Sequence, residues 1–128
     1  MRLLSARRPT QARDGASAER RAEAHLQRHG LLTVTRNFRT RRGEIDLVMR
    51  DGETLVFVEV RMRSSSRFGG AAASVDRRKR ARLAACALEY IARHHARDWP
   101  ACRFDVMTLD GNDASEPQWI RNAFDLDA

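Results

Sequence analysis

The sequence predicts an α/β protein in which a mixed sheet packs against helices. Three observations support this class: helically spaced apolar residues begin near Ser17, two strand-like runs flank Asp51-Gly52, and a second helical segment precedes two more strand-like runs. A chain of 128 residues suits one domain. We therefore expect a flexible basic arm over 1–15 and a single domain over 16–128, with the element order α-β-β-β-α-β-β.

The first helix is predicted to begin after Ser17 as its N-cap and to stop at Gly30. Its buried stripe is expected to contain Ala18, Ala22, Leu26 and His29. Three strands are then predicted, at 31–39, 44–50 and 53–61. The third contains the apolar run Leu55-Val56-Phe57-Val58, which is typical of a strand buried on both faces.

A loop over 64–73 leads to a long helix, predicted at about 75–96, and then to strands at 103–109 and 118–124, the last at a sheet edge. Asp105 is expected to pair with Arg103 rather than bind metal. The two tryptophans, Trp99 and Trp119, can stack on bases but are expected to be core or subunit-contact residues. The buried stripe of the long helix is expected to contain Leu83, Ala87 and Ile91.

The charge of the chain favours a polyanionic partner. There are 24 basic and 17 acidic residues, for a formal net charge of +7. Because cationic side chains release condensed counterions from phosphates, nucleic acid is the expected partner. The alternative is a protein kept soluble by its charge or drawn to anionic lipid. No apolar run approaches the roughly 18 residues that cross a bilayer. Cys86 and Cys102 provide no disulfide framework, so a cytoplasmic protein is expected.

The turn at Asp51-Gly52 predicts a register for the hairpin. With these two residues as the loop, Arg50 pairs with Glu53. Asp46 and Glu59 then become diagonal neighbours, with their Cα atoms roughly 7 Å apart. Because side chains alternate along a strand, both acids share one face. The same face is expected to carry Glu44, Phe57 and Arg61.

Two carboxylates that converge on adjacent strands repel each other unless a cation lies between them. Mg²⁺ or Mn²⁺, held by Asp46, Glu59 and the main-chain carbonyl of Val60, would meet that need. The alternative is an exposed sheet face on which arginines neutralise the acids. A buried Glu59 is costly unless it is paired, metal-bound or protonated, which favours a site. By its helical phase, Glu19 is expected to add a further acid, with Glu23 as its substitute.

Lys79 is the only lysine among the 24 basic residues. An ammonium has a pKa that its surroundings can shift, whereas a guanidinium stays charged. Lys79 shares the buried stripe of the long helix and can extend to the carboxylate cleft. The alternatives are a phosphate contact and a solvated basic face. The cations expected to contact phosphate are Arg63, Arg77, Arg78, Lys79, Arg80 and Arg82.

The order and spacing of several motifs resemble the YraN family, small and poorly characterised bacterial relatives of archaeal Holliday-junction resolvases. The resemblance runs from about residue 19 to residue 124, and implies a restriction-endonuclease-like fold with an α-β-β-β-α-β core. The motifs that carry it are Gly43-Glu44-Ile45-Asp46-Leu47, Phe57-Val58-Glu59-Val60-Arg61, Phe68-Gly69 and Arg103-Phe104-Asp105-Val106.

The resemblance also implies an Asp…Glu-x-Lys nuclease site. Glu19 matches the acid of the helix, while Asp46 and Glu59 match the two strand carboxylates. Arg61 stands where the family normally has lysine, which is thought to orient or activate the attacking water. Arginine can stabilise charge on a phosphate but is a poor proton acceptor at neutral pH. Lys79 is the candidate replacement.

These features predict a metal-dependent endonuclease-like protein that binds DNA and hydrolyses phosphodiester bonds, including those of branched DNA. The main alternative is a nucleic-acid-binding module of the same fold whose chemistry Arg61 has impaired. A third hypothesis is a protein that contacts another protein through the sheet edge and its tryptophans. Relatives of this fold often dimerise, so a homodimer is a further expectation, although the sequence indicates no interface.

Overall fold

The computed structural model describes residues 10–62, 76–111 and 116–125. Its element order, α-β-β-β-α-β-β, confirms the predicted order. The elements are α1 (Thr10–Arg28), β1 (Leu32–Thr40), β2 (Gly43–Asp51), β3 (Thr54–Met62), α2 (Arg77–His94), β4 (Cys102–Leu109) and β5 (Gln118–Phe124). Within the described ranges, no helix combines the length and apolar content needed to cross a membrane.

The predicted start of the first helix is wrong. Helix α1 begins at Thr10, so Ser17 lies inside it and is not its N-cap. Residues 10–15, expected to belong to the basic arm, are therefore helical, while residues 1–9 lie outside the described residues. The predicted loop over 64–73 and Arg63 also lie outside them. Helix α2 begins after Asp76, whose carboxylate accepts a hydrogen bond from the Lys79 amide at 2.9 Å.

The five strands form one mixed sheet in the order β1-β2-β3-β4-β5. Strands β3 and β4 are parallel, and the other neighbouring pairs are antiparallel. A parallel pair needs a crossover connection, and α2 lies in the segment that joins these two strands. Strand β5 is at an edge of the sheet, as predicted.

Each face of the sheet packs against one helix. Leu26 of α1 packs with Val56 and Val58, whereas Leu83 of α2 packs with Phe57. Strand β3 is therefore buried on both faces, as its apolar run predicted. The predicted stripes are confirmed with one exception, since His29 is exposed. The confirmed members are Ala18, Ala22, Leu26, Leu83, Ala87 and Ile91.

The predicted hairpin register is wrong by two residues. Asp51 pairs with Thr54, so the two-residue turn consists of Gly52 and Glu53. Gly52 has a φ of +63°. The first central position of a tight hairpin turn requires a positive φ, which glycine adopts without the steric cost that aspartate would incur. The structure therefore places glycine first in the turn and keeps Asp51 in β2.

Candidate functional site

In β1, the face of the sheet on which the side chains lie changes between Arg36 and Phe38. The Arg36 guanidinium donates from Nε to Glu23 of α1 at 3.0 Å. The Phe38 ring instead packs edge-on against Tyr90 of α2, with centroids 5.1 Å apart. Residues two apart normally share a face, so the backbone between these two must be irregular. Asn37 supplies this irregularity with a φ of +54°, a conformation that asparagine tolerates better than most residues.

The side chains of β2 also change from one face of the sheet to the other, and Asp46 lies between the two residues that show this change. Leu47 packs in the core beside α1, whereas Ile45 packs in the core beside α2. The Asp46 carboxylate accepts a hydrogen bond from the Val60 backbone amide at 2.8 Å. The observed pairing between β2 and β3 ends at Leu47 with Val58, one residue before Asp46 and Glu59, and it differs by two residues from the register that made the two acids diagonal neighbours. Asp46 and Glu59 nevertheless line one cleft.

The surroundings of Asp46 disfavour its charged form. Burial raises the pKa of Asp46, and the Glu59 carboxylate raises it further, to about 8. The hydrogen bond from Val60 opposes this shift, while Glu19 and Glu44 add to it. In the protein alone, Asp46 is therefore largely protonated at neutral pH. A cation beside it would reverse this preference.

Two cations reach Glu59, which is only 6% exposed. The Lys79 ammonium lies 3.0 Å from its Oε2, and the Arg61 guanidinium lies 3.3 Å from the same atom. The structure thus places Lys79 in the cleft, which was one of the three roles expected for it. The cleft encloses a cavity of about 160 Å³. Its lining residues are Gly43, Glu44, Asp46, Glu59, Lys79, Arg82 and Leu83.

The two acids considered on α1 have different surroundings. Glu19 accepts a hydrogen bond from the Asn37 side chain at 3.1 Å, and its charge acts on Asp46. Glu23 is buried and forms an ion pair with Arg36 at 2.7 Å. Glu23 therefore has a structural partner, whereas Glu19 lies beside the backbone irregularity that positions Asp46. Glu19 lines a separate cavity on the α1 side of the sheet, not the one shared by Asp46 and Lys79.

No group of three histidine, cysteine, aspartate or glutamate side chains is arranged to hold a metal ion within the ranges that the structure describes. The predicted metal ligands thus comprise two carboxylates, Asp46 and Glu59, with the carbonyl of Val60. Five of the six cations predicted to contact phosphate, all except Arg63, lie in the first turns of α2. Three of the five are exposed and two are partly buried; the exposed ones are Arg77, Arg78 and Arg82.

A second aspartate that accepts a hydrogen bond from a strand amide, Asp105, provides an internal comparison for Asp46. Asp105 is fully buried and accepts a hydrogen bond from the Asn122 backbone amide at 2.9 Å. It is also paired with Arg103, as expected from the sequence, with Nε 3.0 Å from its Oδ1. The Trp119 indole nitrogen donates to it at 2.9 Å. Asp105 is thus neutralised by a neighbour, whereas the charges that act on the pKa of Asp46 are all carboxylates.

Sequence reasoning did not identify Asn37 as part of the site. The available signal was an asparagine inside a strand-like run, since asparagine is depleted in strands and tolerates a positive φ. Glu44 was expected on the same face as Asp46 and Glu59. It lines the cleft and pairs with Arg39 at 3.2 Å.

The chain was also compared with known proteins. A family model described as uncharacterised protein family UPF0102 matches residues 18–109. A UPF0102 protein of Nitrosomonas europaea is 54% identical over 111 residues, which cover 87% of this chain and 92% of that protein. One of Halorhodospira halophila is 56% identical over 110 residues, covering 86% and 85%. One of Cupriavidus pinatubonensis is 57% identical over 120 residues, covering 92% and 89%.

Proposed function

The chain belongs to the uncharacterised protein family UPF0102, and we propose that it is a metal-dependent phosphodiesterase that acts on DNA. The observation that carries this proposal is the Asp46 carboxyl group, which lines one cleft with Glu59 and has a pKa that burial and the Glu59 carboxylate raise to about 8. Strongly perturbed carboxyl groups in a cleft are characteristic of functional sites. Nothing in the fold requires an acid at this position, because an uncharged acceptor could also bind the Val60 amide.

The comparison with Asp105 strengthens this argument. Both aspartates accept a hydrogen bond from a strand amide, so both have the same kind of backbone contact. Only Asp105 is neutralised by an ion pair, with Arg103. An aspartate that served only the fold at position 46 would have a similar partner. The repulsion at Asp46 is therefore better explained by a cation that binds during function.

The donor set fits Mg²⁺ or Mn²⁺. Asp46, Glu59 and the Val60 carbonyl would hold the ion, and hard cations of this kind take oxygen ligands, of which one or two are usually carboxylates. The rest come from water and from substrate phosphate, so the absence of a third acidic or histidine ligand among the described residues is compatible with this choice. When bound, such an ion polarises the phosphate and makes water a better nucleophile.

The residues of the chain itself would bind and position the substrate. Lys79 and Arg61 hold the Glu59 carboxylate and bring two positive charges to the cleft, where they would stabilise a phosphate. Lys79 brings a compact ammonium, whereas Arg61 brings a planar guanidinium with a fixed donor geometry. Asn37 and Glu19 support the backbone irregularity that positions Asp46.

We further propose that the domain is a variant of the restriction-endonuclease-like fold, which is distantly related to the Holliday-junction resolvases. The order α-β-β-β-α-β and the mixed sheet support this proposal. So does the position of the two carboxylates, which lie just beyond the last observed pair between β2 and β3, Leu47 with Val58. Branched DNA is accordingly the first substrate to test.

The proposal can be tested with the purified full chain, incubated with branched and single-stranded DNA in Mn²⁺. The unmodified protein is expected to cleave at least one of these substrates, and Asp46→Asn to cleave neither, because asparagine cannot supply an anionic ligand. Asp125→Asn, a change at an exposed acid beyond β5, is the matched control and should cleave normally. Cleavage by Asp46→Asn at the rate of the control would refute the site.

The roles of Lys79 and Arg61 can be separated by exchange. Lys79→Met should greatly reduce cleavage, because of the two cations paired with Glu59 only the Arg61 guanidinium then remains. Adding Arg61→Lys to that variant is expected to restore part of the activity, since it returns an ammonium to Glu59 from the neighbouring position. Cleavage rates against pH should be measured for both. If the double variant is as inactive as Lys79→Met, the two positions are not interchangeable.

A second candidate function is nucleic-acid binding without cleavage. The observation that favours it is the double ion pair of Glu59, which neutralises this carboxylate without a metal ion. Salt-dependent DNA binding, with no cleavage in any divalent metal and no heat on titration with Mn²⁺, would support this function over the first.

A further inference from the structure

Strand β1 and helix α2 lie side by side and run in opposite directions. We call the surface between them the β1–α2 seam. It starts at the carboxylate cleft, since Gly43 and Arg82 both line that cavity. Contacts at successive levels define the seam: Gly43 with Arg82, Thr40 with Cys86, and Phe38 with Tyr90.

The seam is rich in arginine. Arg41 and Arg42 are exposed in the turn before β2, and Arg82 is exposed on the facing side of α2. Farther along, the Arg93 guanidinium lies 5.4 Å from the centre of the Phe38 ring. Arg39 is also exposed there. Two acids reduce this charge by pairing with its arginines: Glu44 with Arg39 and Glu89 with Arg93. The seam still carries an excess of positive charge.

An aromatic cavity of about 540 Å³ lies at the far end of the seam. Trp99 lines this cavity with 63% of its surface exposed. Of the two roles expected for Trp99, core residue or subunit contact, the first is therefore wrong. The short segment between α2 and β4 holds Trp99 at the cavity rather than under the sheet. Tyr90 and His95 add two further rings, and Arg50 adds a cation. The cavity also contains two acids, Glu53 and Asp98.

We propose that the β1–α2 seam binds single-stranded nucleic acid, whose backbone runs from the Asp46–Glu59 cleft towards Trp99, where a base stacks on the indole. A cationic groove with aromatic side chains is the usual means of binding single strands. From Arg82 to His95 the helix advances about 20 Å, room for a few nucleotides. Stacking on an exposed indole requires an unpaired base, because bases in a duplex are already stacked on each other. This inference rests on the proposed function and specifies its substrate class.

Binding of a short single-stranded oligonucleotide, measured in EDTA by fluorescence anisotropy, tests this proposal. Trp99→Ala should weaken binding about ten- to a hundredfold, in keeping with the loss of one base stack. Trp99→Phe retains a ring and should recover most of the affinity. A duplex of the same length should bind the unmodified protein and Trp99→Ala equally. Leu88→Ala is the matched control, because Leu88 is exposed on α2 about 200° around the helix from Cys86.

A second measurement tests the path between the two ends. Replacing both Arg41 and Arg42 with glutamine should lower the salt dependence of single-strand binding, with the slope of log K against log salt falling by about 0.7 per lost phosphate contact. Unchanged single-strand affinity in Trp99→Ala, or equal losses for single strand and duplex, would overturn the proposal. These assays measure binding without metal, so they can be read whether or not Asp46 supports cleavage.

Discussion

Asp46→Asn is expected to resist urea better than the unmodified protein at pH 8, with an advantage that shrinks towards pH 4. The pKa of Asp46 is raised from 3.8 to about 8 by burial and by Glu59. Between these values the folded state binds a proton that the unfolded state has released. The unmodified protein therefore loses stability as pH rises through this window, and Asp46→Asn lacks this loss.

The effect is large because the shift is large. One pKa unit corresponds to about 1.4 kcal/mol, so the difference in free energy of unfolding reaches at most about 4 kcal/mol at pH 7. Urea titrations followed by circular dichroism, in EDTA at several pH values, would measure it. Glu89→Gln, which alters an exposed helical ion pair, provides a control and should follow the unmodified protein.

Metal ions extend the same experiment. If the cleft binds Mg²⁺, adding the ion at pH 8 should stabilise the unmodified protein but not Asp46→Asn, because ligand binding to the folded state raises its stability. If the free energies of unfolding of the two proteins changed with pH in the same way in EDTA, the raised pKa assigned to Asp46 would be contradicted.

Asp105→Ala is expected to have the second large effect, in the opposite direction. Asp105 is fully buried and receives hydrogen bonds from Arg103, Trp119 and the Asn122 amide. Removing the carboxylate leaves these donors without their shared acceptor. Breaking a buried ion pair by deleting one partner costs about 3–5 kcal/mol, a large part of the stability of a small domain. The salt bridge between Arg103 and Asp51 limits the loss, since it keeps one partner for the guanidinium.

Urea titration would also measure this change, with Trp119 fluorescence as a second signal because its indole contacts Asp105. Asp125→Ala, at an exposed acid, should change the free energy of unfolding by less than about 0.5 kcal/mol. A similarly small change in Asp105→Ala would show that the buried network contributes little to stability. The contrast between Asp105, assigned to stabilising the fold, and Asp46, assigned to function, would then be unsupported.

Local patterns were sufficient to predict the elements of the fold. Every strand was predicted within a few residues of its observed position, because alternating and continuous apolar runs reflect burial directly. The buried stripes of both helices were predicted for the same reason. The start of α1 was not, since serine inside a helix costs only about 0.5 kcal/mol relative to alanine, so an N-cap residue type does not by itself fix where a helix begins.

The site shows the same division between local and tertiary information. Composition and spacing were enough to select Asp46, Glu59 and Lys79 as candidates, and the structure brings the three together. Their exact neighbours depended on the hairpin register, which was mispredicted because both Asp51-Gly52 and Gly52-Glu53 can form a two-residue turn.

By itself, the sequence determined the fold class, the order of the elements and the acids that lie near one another, because periodicity and residue type are local properties. Only the tertiary structure decided that the side chains of β1 and β2 change from one face of the sheet to the other at Asn37 and Asp46. Only the tertiary structure, likewise, decided that Trp99 is exposed at the end of the β1–α2 seam. The physical reason is that these features depend on packing between distant segments. A positive φ, a cross-strand register and the exposure of a ring are each set by neighbours that the local sequence does not specify.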